Sequence, residues 1–428
     1  MKDSLIIIGG GILQIPVIMQ AFEMGYNPIV FDFNEKAKAF ELPFVQKVLC
    51  STLDEDKATN IAYNLAKEQK IVGVLTVGTD ASRTVSAIAE KLNLYAISYD
   101  KAQITTNKIL LRQKLKEKGV NQANFLIVEN KEQFLKILNE IKQKKIFQNG
   151  AVVKPSTSMG ARGVYFINDD ILKKENLFDE IVSFSKDGKI LIEEFHKDAY
   201  ELSIDALIYD RKITITGVAI RYIQNPPYFV EHGHLMPADI EDDLIKAGVD
   251  EFIKGIEAVD INIGAAKGDI FVKYVYDDSK GKKVAKGFVS ELASRLSGGF
   301  MSTHTYPYSS GVNLMENIIK IHTGNPPNTL TPKWNIYSLE MGILPKKDGI
   351  LKKVIGINDA KYIPCIKDII IYRNIGDKVQ IPINNVTKAG SIIGAHHDKD
   401  YLKKCVNDAL SVIKLEIEWF YFFINLFN

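Results

Sequence analysis

Hydrophobic positions in the first hundred residues switch repeatedly between two periods. Ser4–Ile8 is a continuous apolar run closed by Gly9, Gly10 and Gly11, the pattern of a buried parallel strand ending in a tight turn. Helical spacing follows over 12–24 and stops at Gly25. Strands are predicted over 27–31, 71–77 and 95–97, and helices over 57–67 and 81–92. This rhythm predicts an open, doubly wound α/β layer. A helix over 100–118, a strand over 125–128 and a charged amphipathic helix over 131–145 come next.

From residue 151 the pattern changes. The runs AVVKP, GVYFI, KILIEEF, ELSIDALIY, ITITGVAI and GDIFVKYVY are apolar or alternating, and turns such as 209–212 are short and polar. Antiparallel strands, interrupted by one helix over 242–258, are the simplest reading. The Pro-, Gly- and Asn-rich stretch 323–333 reads as a link. Beyond it lies a last β-rich stretch ending in a helix over 399–418.

Composition narrows the class. The length of 428 residues allows about two to four domains. Charged residues make up 25% and nearly cancel, 54 basic against 52 acidic, which argues against a protein built to grip nucleic acid or anionic lipid. Cys50, Cys365 and Cys405 form no CxxC pair, so buried thiols are expected, not a zinc ribbon or disulfide framework. The apolar start is too short for a signal-peptide core, and no run is long enough to span a membrane. The expectation is a cytoplasmic, multidomain protein.

Four constellations can carry chemistry. Three glycines after a strand, with Asp32 ending the next, suggest a dinucleotide fingerprint, but Gln14 stands where a small residue is needed, so a plain turn is favoured. Lys154 ends the strand 151–155, and the run STSMGARG over 156–163 follows before another strand. Small residues let a backbone close over phosphates, which its N–H groups and hydroxyls bind, while Lys154 adds positive charge. No GK[ST] signature is present, so this predicts a flap between strands or simply a hairpin turn. Asp269 and Glu291 lie on two strands joined by a lysine-rich turn. On adjacent antiparallel strands both carboxylates can face one way, as Mg²⁺ requires; two solvated acids are the alternative. Arg295 and the turn Ser297, Gly298 and Gly299 follow, placing a charge suited to a phosphoryl group or oxyanion. The fourth, Glu193, Glu194, Phe195 and His196 with Glu201 beyond, reads alone as a strand end.

Other charged groups have blander readings. Arg221 and Lys267 can meet an anionic substrate or be surface charges, the surface reading being favoured, and His232 and His234 read as part of a structural or substrate-facing segment. His396, His397 and Asp398 form a polar turn. The apolar run 419–427 is too short to cross a bilayer; packing back onto the C-terminal stretch is favoured over a dimer contact or interfacial anchor.

In this order, the pieces resemble the ATP-grasp superfamily from the first strand to about Gly299. Thr106, Asn107 and Lys108 with Arg112 are similar to the start of its nucleotide-binding lobe. The resemblance places Lys108, Lys154, Ser158, Gly160, Gly163, Glu193, Glu194, Phe195, His196 and Glu201 around ATP. It makes Asp269 and Glu291 ligands of Mg²⁺ (or Mn²⁺), and puts Arg295, Lys154, Ser297 and Gly298 at the reaction centre. Ala293 departs from the pattern, since the family often has an asparagine metal ligand there. The run ELASRLSGG resembles amino-acid and peptide-forming ligases of the superfamily.

The implied organisation is an α/β, multidomain protein with the ATP-grasp fold. An N-terminal doubly wound α/β domain spans 1–100. A lobe with the first lysine helix and flap spans 101–190, a lobe with the hinge and metal site 191–325, and a C-terminal β-rich domain 326–428. The implied activity is ATP-dependent carboxylate–amine ligation through an acyl phosphate. The expected partners are a small-molecule carboxylic acid and an amine, with no nucleic acid or membrane; a homodimer is possible through the C-terminal run. A biotin-carboxylase-like carboxylase, an NAD(P)-dependent oxidoreductase and an inactive nucleotide-binding homologue are the alternatives, the last kept open by Ala293.

Overall fold

The structure, a computed structural model, describes residues 2–223 and 227–419. The apolar run 419–427 therefore lies, from 420 on, outside the described residues. The N-terminal sheet is parallel, in the order Gln46–Leu49, Asn27–Asp32, Ser4–Ile8, Ile71–Leu75. Its central strand explains its unbroken apolar run, because alternate residues enter two cores. Leu5 and Ile7 pack with Val17, Ile18 and Ala21 of the helix Ile15–Glu23 and with Ile318 and Ile319 of the helix Leu314–His322. Ile6 and Ile8 pack on the other side with Ala58, Ala62, Val85 and Ile88 of the helices Glu55–Leu65 and Ser82–Leu92.

Three local predictions need correction. The strand expected over 95–97 is absent; Tyr95 instead covers Gly324, and its carbonyl lies 3.0 Å from His322 Nδ1. The strand Gln46–Leu49 was not foreseen, because as an edge it buries only one face lightly. The helix expected over 100–118 is two, Tyr99–Thr106 and Lys108–Glu117. Asn107 breaks it by taking an extended backbone, and its side chain caps the second helix by accepting from the N–H groups of Ile109 and Leu110.

A second, antiparallel sheet runs Phe125–Val128, Ile190–Glu194, Ala151–Pro155, Tyr165–Phe166, packed on the helix Lys131–Lys142. A third has eight antiparallel strands in the order Lys282–Ala293, Gly264–Asp277, Tyr200–Tyr209, Lys212–Ile223, Glu231–Met236, Tyr337–Ile343, Gly390–His396, Ile366–Ile371. The helix Asp242–Val259 lies against it and comes close at Gly248, where a Cβ would stand 2.9 Å from Leu202 and Val272.

The stretch beyond the 323–333 link continues this large sheet with three strands. Only Lys378–Val379, Gly349–Ile355 and Lys414–Glu418 form a small sheet of their own. The last helix, Lys399–Val412, is shorter than expected because the chain turns into that final strand. Asp398 caps it by accepting from Asp400 and Tyr401, as the polar-turn reading expects. Cys365 and Cys405, distant in sequence, come to 3.1 Å as free thiols. Among the described residues no helix is long and apolar enough to cross a membrane.

Candidate active site

A cleft of about 1590 Å³ is walled by loops and strands of all three large sheets. Lys108, Lys154, Ser158, Gly160, Glu193, Glu194, Phe195, His196, Glu201, Asp269, Glu291, Arg295, Ser297 and Gly298 all line it. Gly163 does not; it turns away, and a Cβ there would meet Phe184 at 2.8 Å and Pro155 at 2.9 Å. With its φ of +70°, its smallness serves the bend of the flap.

One end is braced by a buried ion cluster. Arg112 is 2% exposed, bonds Glu193 through Nε, and donates to the carbonyls of Val289 at 2.6 Å and Ser290 at 2.8 Å. Lys154 Nζ approaches the other Glu193 oxygen at 2.7 Å. Burial alone would raise the Glu193 pKa, but Arg112 and Lys154 outweigh it and bring it to about 2. Its carboxylate is thus engaged in aiming Lys154. Lys108 starts its helix with its own N–H on the Ser156 carbonyl at 2.8 Å. Its Nζ donates to the Ser158 carbonyl at 2.5 Å and lies 3.3 Å from Glu291. One lysine therefore ties the flap to the acidic pair.

That pair is set by strand register: Asp269 stands directly opposite Glu291. Arg221 Nη1 lies 3.1 Å from Asp269 and also bonds Glu201, while Nη2 reaches Glu231 at 3.0 Å. Lys267 pairs with Asp269. The reading of Arg221 and Lys267 as surface charges is overturned: their side chains are only 11% and 13% exposed, and both line the cleft. Enclosure pushes the Glu291 carboxyl up, but Lys108, Lys267 and Lys154 outweigh it and hold it well below the usual range. Glu201 goes the other way: burial, reinforced by Asp269 and opposed by Arg221, raises it to about 7.

No group of three or more His, Cys, Asp or Glu among the described residues can hold a metal. Two carboxylates in register offer the hard oxygens that Mg²⁺ takes along with phosphates and water, Asp269 then being shared between the ion and its partners Arg221 and Lys267. Ala293 faces Lys267 across the strand pair and supplies no further ligand. His232 and His234 form no metal site; His234 Nε2 lies 2.9 Å from Thr305 Oγ1.

The N-terminal sheet contributes at its switch point, between Ser4–Ile8 and Ile71–Leu75, where open α/β sheets bind ligands. Ile12, Leu13, Gly78, Thr79 and Asp80 line the cleft there. Arg295 donates to Asp80 from Nε at 2.9 Å and Nη2 at 2.6 Å. Gly78 and Gly298 interlock: a Cβ on Gly78 would stand 3.0 Å from the Gly298 Cα. Ser297 donates to the buried Asp205 from its N–H at 3.1 Å and its hydroxyl at 2.6 Å. Burial still raises Asp205 to about 6 against those bonds. The glycine turn itself serves the fold. Asp32 accepts from the N–H groups of Gly10 at 2.7 Å and Asn34 at 2.9 Å, and Gln14 fills the turn while bonding the Val77 carbonyl at 2.7 Å. That leaves no open acid for a ribose.

The remaining hinge residues build an aromatic wall. Phe195 meets Phe166 edge-on at 5.1 Å. His196 lies between Phe271 at 5.1 Å and Phe288 at 4.7 Å, and burial with nearby Lys273 lowers it to about 4, so it is neutral at pH 7. Glu194 is held by Asn124 at 2.8 Å. The hydroxyl of Ser158 and Nε2 of His196 are buried without hydrogen-bond partners. Both residues line the cleft, where a bound ligand can satisfy those atoms. Sequence reasoning missed Asp80, Gly78, Asp205 and the cleft-lining Tyr372, Arg373 and Lys388. Asp80 alone had a signal, an acid just past the end of a parallel strand.

No protein-family profile matches the chain. The carbamoyl phosphate synthase large chain of Haemophilus ducreyi is 24% identical over 199 residues, 46% of this chain and 18% of that one. The formate-dependent phosphoribosylglycinamide formyltransferase of Sulfurisphaera tokodaii is 24% identical over 253 residues, 57% of this chain and 60% of that one. The match thus spans less than two thirds of either relative. Among solved structures, the phosphoribosylglycinamide synthetase of Anaerococcus prevotii superimposes with TM-score 0.72 at 21% identity, over 98% of this chain and 100% of that one. The L-amino acid ligase of Bacillus licheniformis gives 0.78 at 19%, over 97% and 99%. The N5-carboxyaminoimidazole synthetase of Staphylococcus aureus complexed with ADP gives 0.70 at 17%, over 96% and 98%. Across nearly its whole length, this chain has the fold of the ATP-grasp ligases.

Proposed function

We propose that the chain is an ATP-dependent ligase that joins a small-molecule carboxylate to an amine, releasing ADP and phosphate. The observation that carries this reading is the convergence of Lys108 and Lys154 with the in-register pair Asp269 and Glu291 under one glycine-rich flap. Phosphoryl transfer is driven by positioning and charge neutralisation, so it needs no covalent nucleophile from the chain. Structures with this fold include a synthetase complexed with ADP and an L-amino acid ligase, which supports the same reading here.

Each residue then has a task. Lys108 and Lys154 hold the phosphates, and Glu193 with Arg112 fixes the Lys154 ammonium. Asp269 and Glu291 would hold Mg²⁺, whose positive charge would offset that of the transferring phosphoryl group. Arg295, steadied by Asp80, faces the oxygen that gains charge as the amine attacks. The backbone at Ser297 and Gly298 receives the substrate carboxylate, and the flap 156–163 keeps water from the acyl phosphate. The test is a phosphate-release screen over paired acids and amines. ADP formation that requires both partners supports the reading. ADP formation with no dependence on either partner, or none with any pair, counts against it.

A further inference from the structure

The cleft extends beyond the residues assigned to the nucleotide and metal. Its far wall is built by the C-terminal stretch, through Tyr372, Arg373, Asn385, Val386 and Lys388. Lys388 is 6% exposed, yet its ammonium makes no hydrogen bond or ion pair with a described residue. Its position is fixed instead through its stem and backbone: a Cβ on Gly342 would stand 3.0 Å from Lys388 Cδ, and the Lys388 carbonyl accepts from Arg373 Nε at 3.3 Å. Arg373 bonds only the carbonyls of Lys388 and Val386 and meets no carboxylate among the described residues. Nearby Glu231 feels the Lys388 charge but already pairs with Arg221 at 3.0 Å. Elsewhere in the cleft, Lys108, Lys154, Arg221, Lys267 and Arg295 each pair with an acid. Burying an ammonium without a direct partner is costly, so Lys388, with the half-buried Arg373 beside it, marks an anion site on the cleft wall.

The location separates this site from the reaction centre. Gly342, against which Lys388 packs, lies on the strand Tyr337–Ile343, four places along the sheet from the strand that carries Asp269. Between the two ends stand Arg221 and Glu231, Arg221 reaching Asp269 at 3.1 Å and Glu231 at 3.0 Å, so one carboxylate does not meet both. The wall between is apolar in part: Phe300 stacks on Tyr372 at 5.8 Å, and Met301 and Met341 line the same cleft.

Resting on the ligase reading, we infer that one of the two substrates carries a second anionic group, a carboxylate or a phosphate ester, received by Lys388 and Arg373 at the end of the cleft away from the reacting carboxylate. The loop that carries these cations also touches the flap, since the Asn385 N–H donates to the Gly160 carbonyl at 3.1 Å. Filling the anion site and closing the flap over ATP are thereby joined in one contact.

The test loads the full chain with Mg²⁺ and a non-hydrolysable ATP analogue, then titrates inorganic phosphate and, separately, succinate by calorimetry. Wild type binds at least one probe, and Lys388→Gln and Arg373→Gln each weaken it about tenfold or more, with Lys388→Arg largely restoring it. Weakening of phosphate alone assigns a phosphate ester, and of succinate alone a dicarboxylate. Analogue affinity and melting temperature serve as fold controls for the variants. If wild type binds neither probe, or Lys388→Gln binds them as wild type does, the inference is overturned. If the analogue itself fails to bind wild type, the nucleotide reading falls separately; the probes are then titrated into the free protein, where the same comparison decides the anion site.

Discussion

The Glu193 carboxylate shows how one residue changes meaning once its neighbours are known. In the sequence it is the end of a strand; in the fold it is the counter-ion that holds Arg112 and Lys154 together. Replacing it with glutamine leaves two buried cations short of a partner, so Glu193→Gln lowers stability by about 3–5 kcal/mol at pH 7. The pH dependence has a definite sign. The folded pKa of about 2 lies below the ordinary 4.5, so the stabilisation is complete above 4.5 and is lost as pH falls toward 2. Melting curves of both proteins should therefore converge across that window, and a gap that stays constant would refute the assignment. At the reaction centre, Lys154→Ala and Glu291→Ala should each reduce turnover by at least about a hundredfold while the fold persists by circular dichroism. The Glu291 variant should in addition demand more Mg²⁺. Normal rates in either variant would overturn the site. Arg221 was hard to place because a charge facing a cleft and a charge facing solvent look alike until strands are paired, and only the pairing of its strand brings it to Asp269; Lys267, two residues before Asp269 on one strand, already shares its face.

At the scale of elements, most strands were legible because their cores impose a period. Ser4–Ile8 is apolar throughout since both of its faces are buried. The misses fall where packing, not period, decides. The helix break at Asn107 leaves no gap in the apolar pattern, yet it points Lys108 into the cleft. Asn107→Ala should cost about 1 kcal/mol through the lost cap, and it should weaken ATP binding as the Lys108 helix start loosens. The contact of Gly78 with Gly298 is another such junction. Gly78 has a φ of +65°, so Gly78→Ala adds backbone strain as well as a contact of 3.0 Å to the Gly298 Cα. The expected result is a lower melting temperature with a raised KM for the acid and a smaller change in KM for ATP. Equal changes in both would place the Ser297–Gly298 turn outside the acid site.

At the scale of the whole molecule, four separate stretches of chain are needed to make one cleft: the switch-point loops, the flap, the acidic strand pair and the C-terminal wall. Motif order pointed to the flap and the acidic strand pair, whose residues sit at strand ends with characteristic neighbours, but not to Gly78 and Asp80 of the switch-point loops. The C-terminal wall carries no motif; Tyr372, Arg373 and Lys388 reach the cleft only because that stretch extends the large sheet. A net charge of +2 likewise says nothing about the cations gathered there. Thermal unfolding of wild type and Lys154→Ala with Mg-ATP or NADH tests the central claim most directly. A ligand at a hundred times its Kd adds about 2.7 kcal/mol, so Mg-ATP should raise the wild-type melting temperature by a few degrees, Lys154→Ala should lose most of that rise, and NADH should change neither. A rise with NADH and none with Mg-ATP, or an equal Mg-ATP rise in both proteins, would contradict the account.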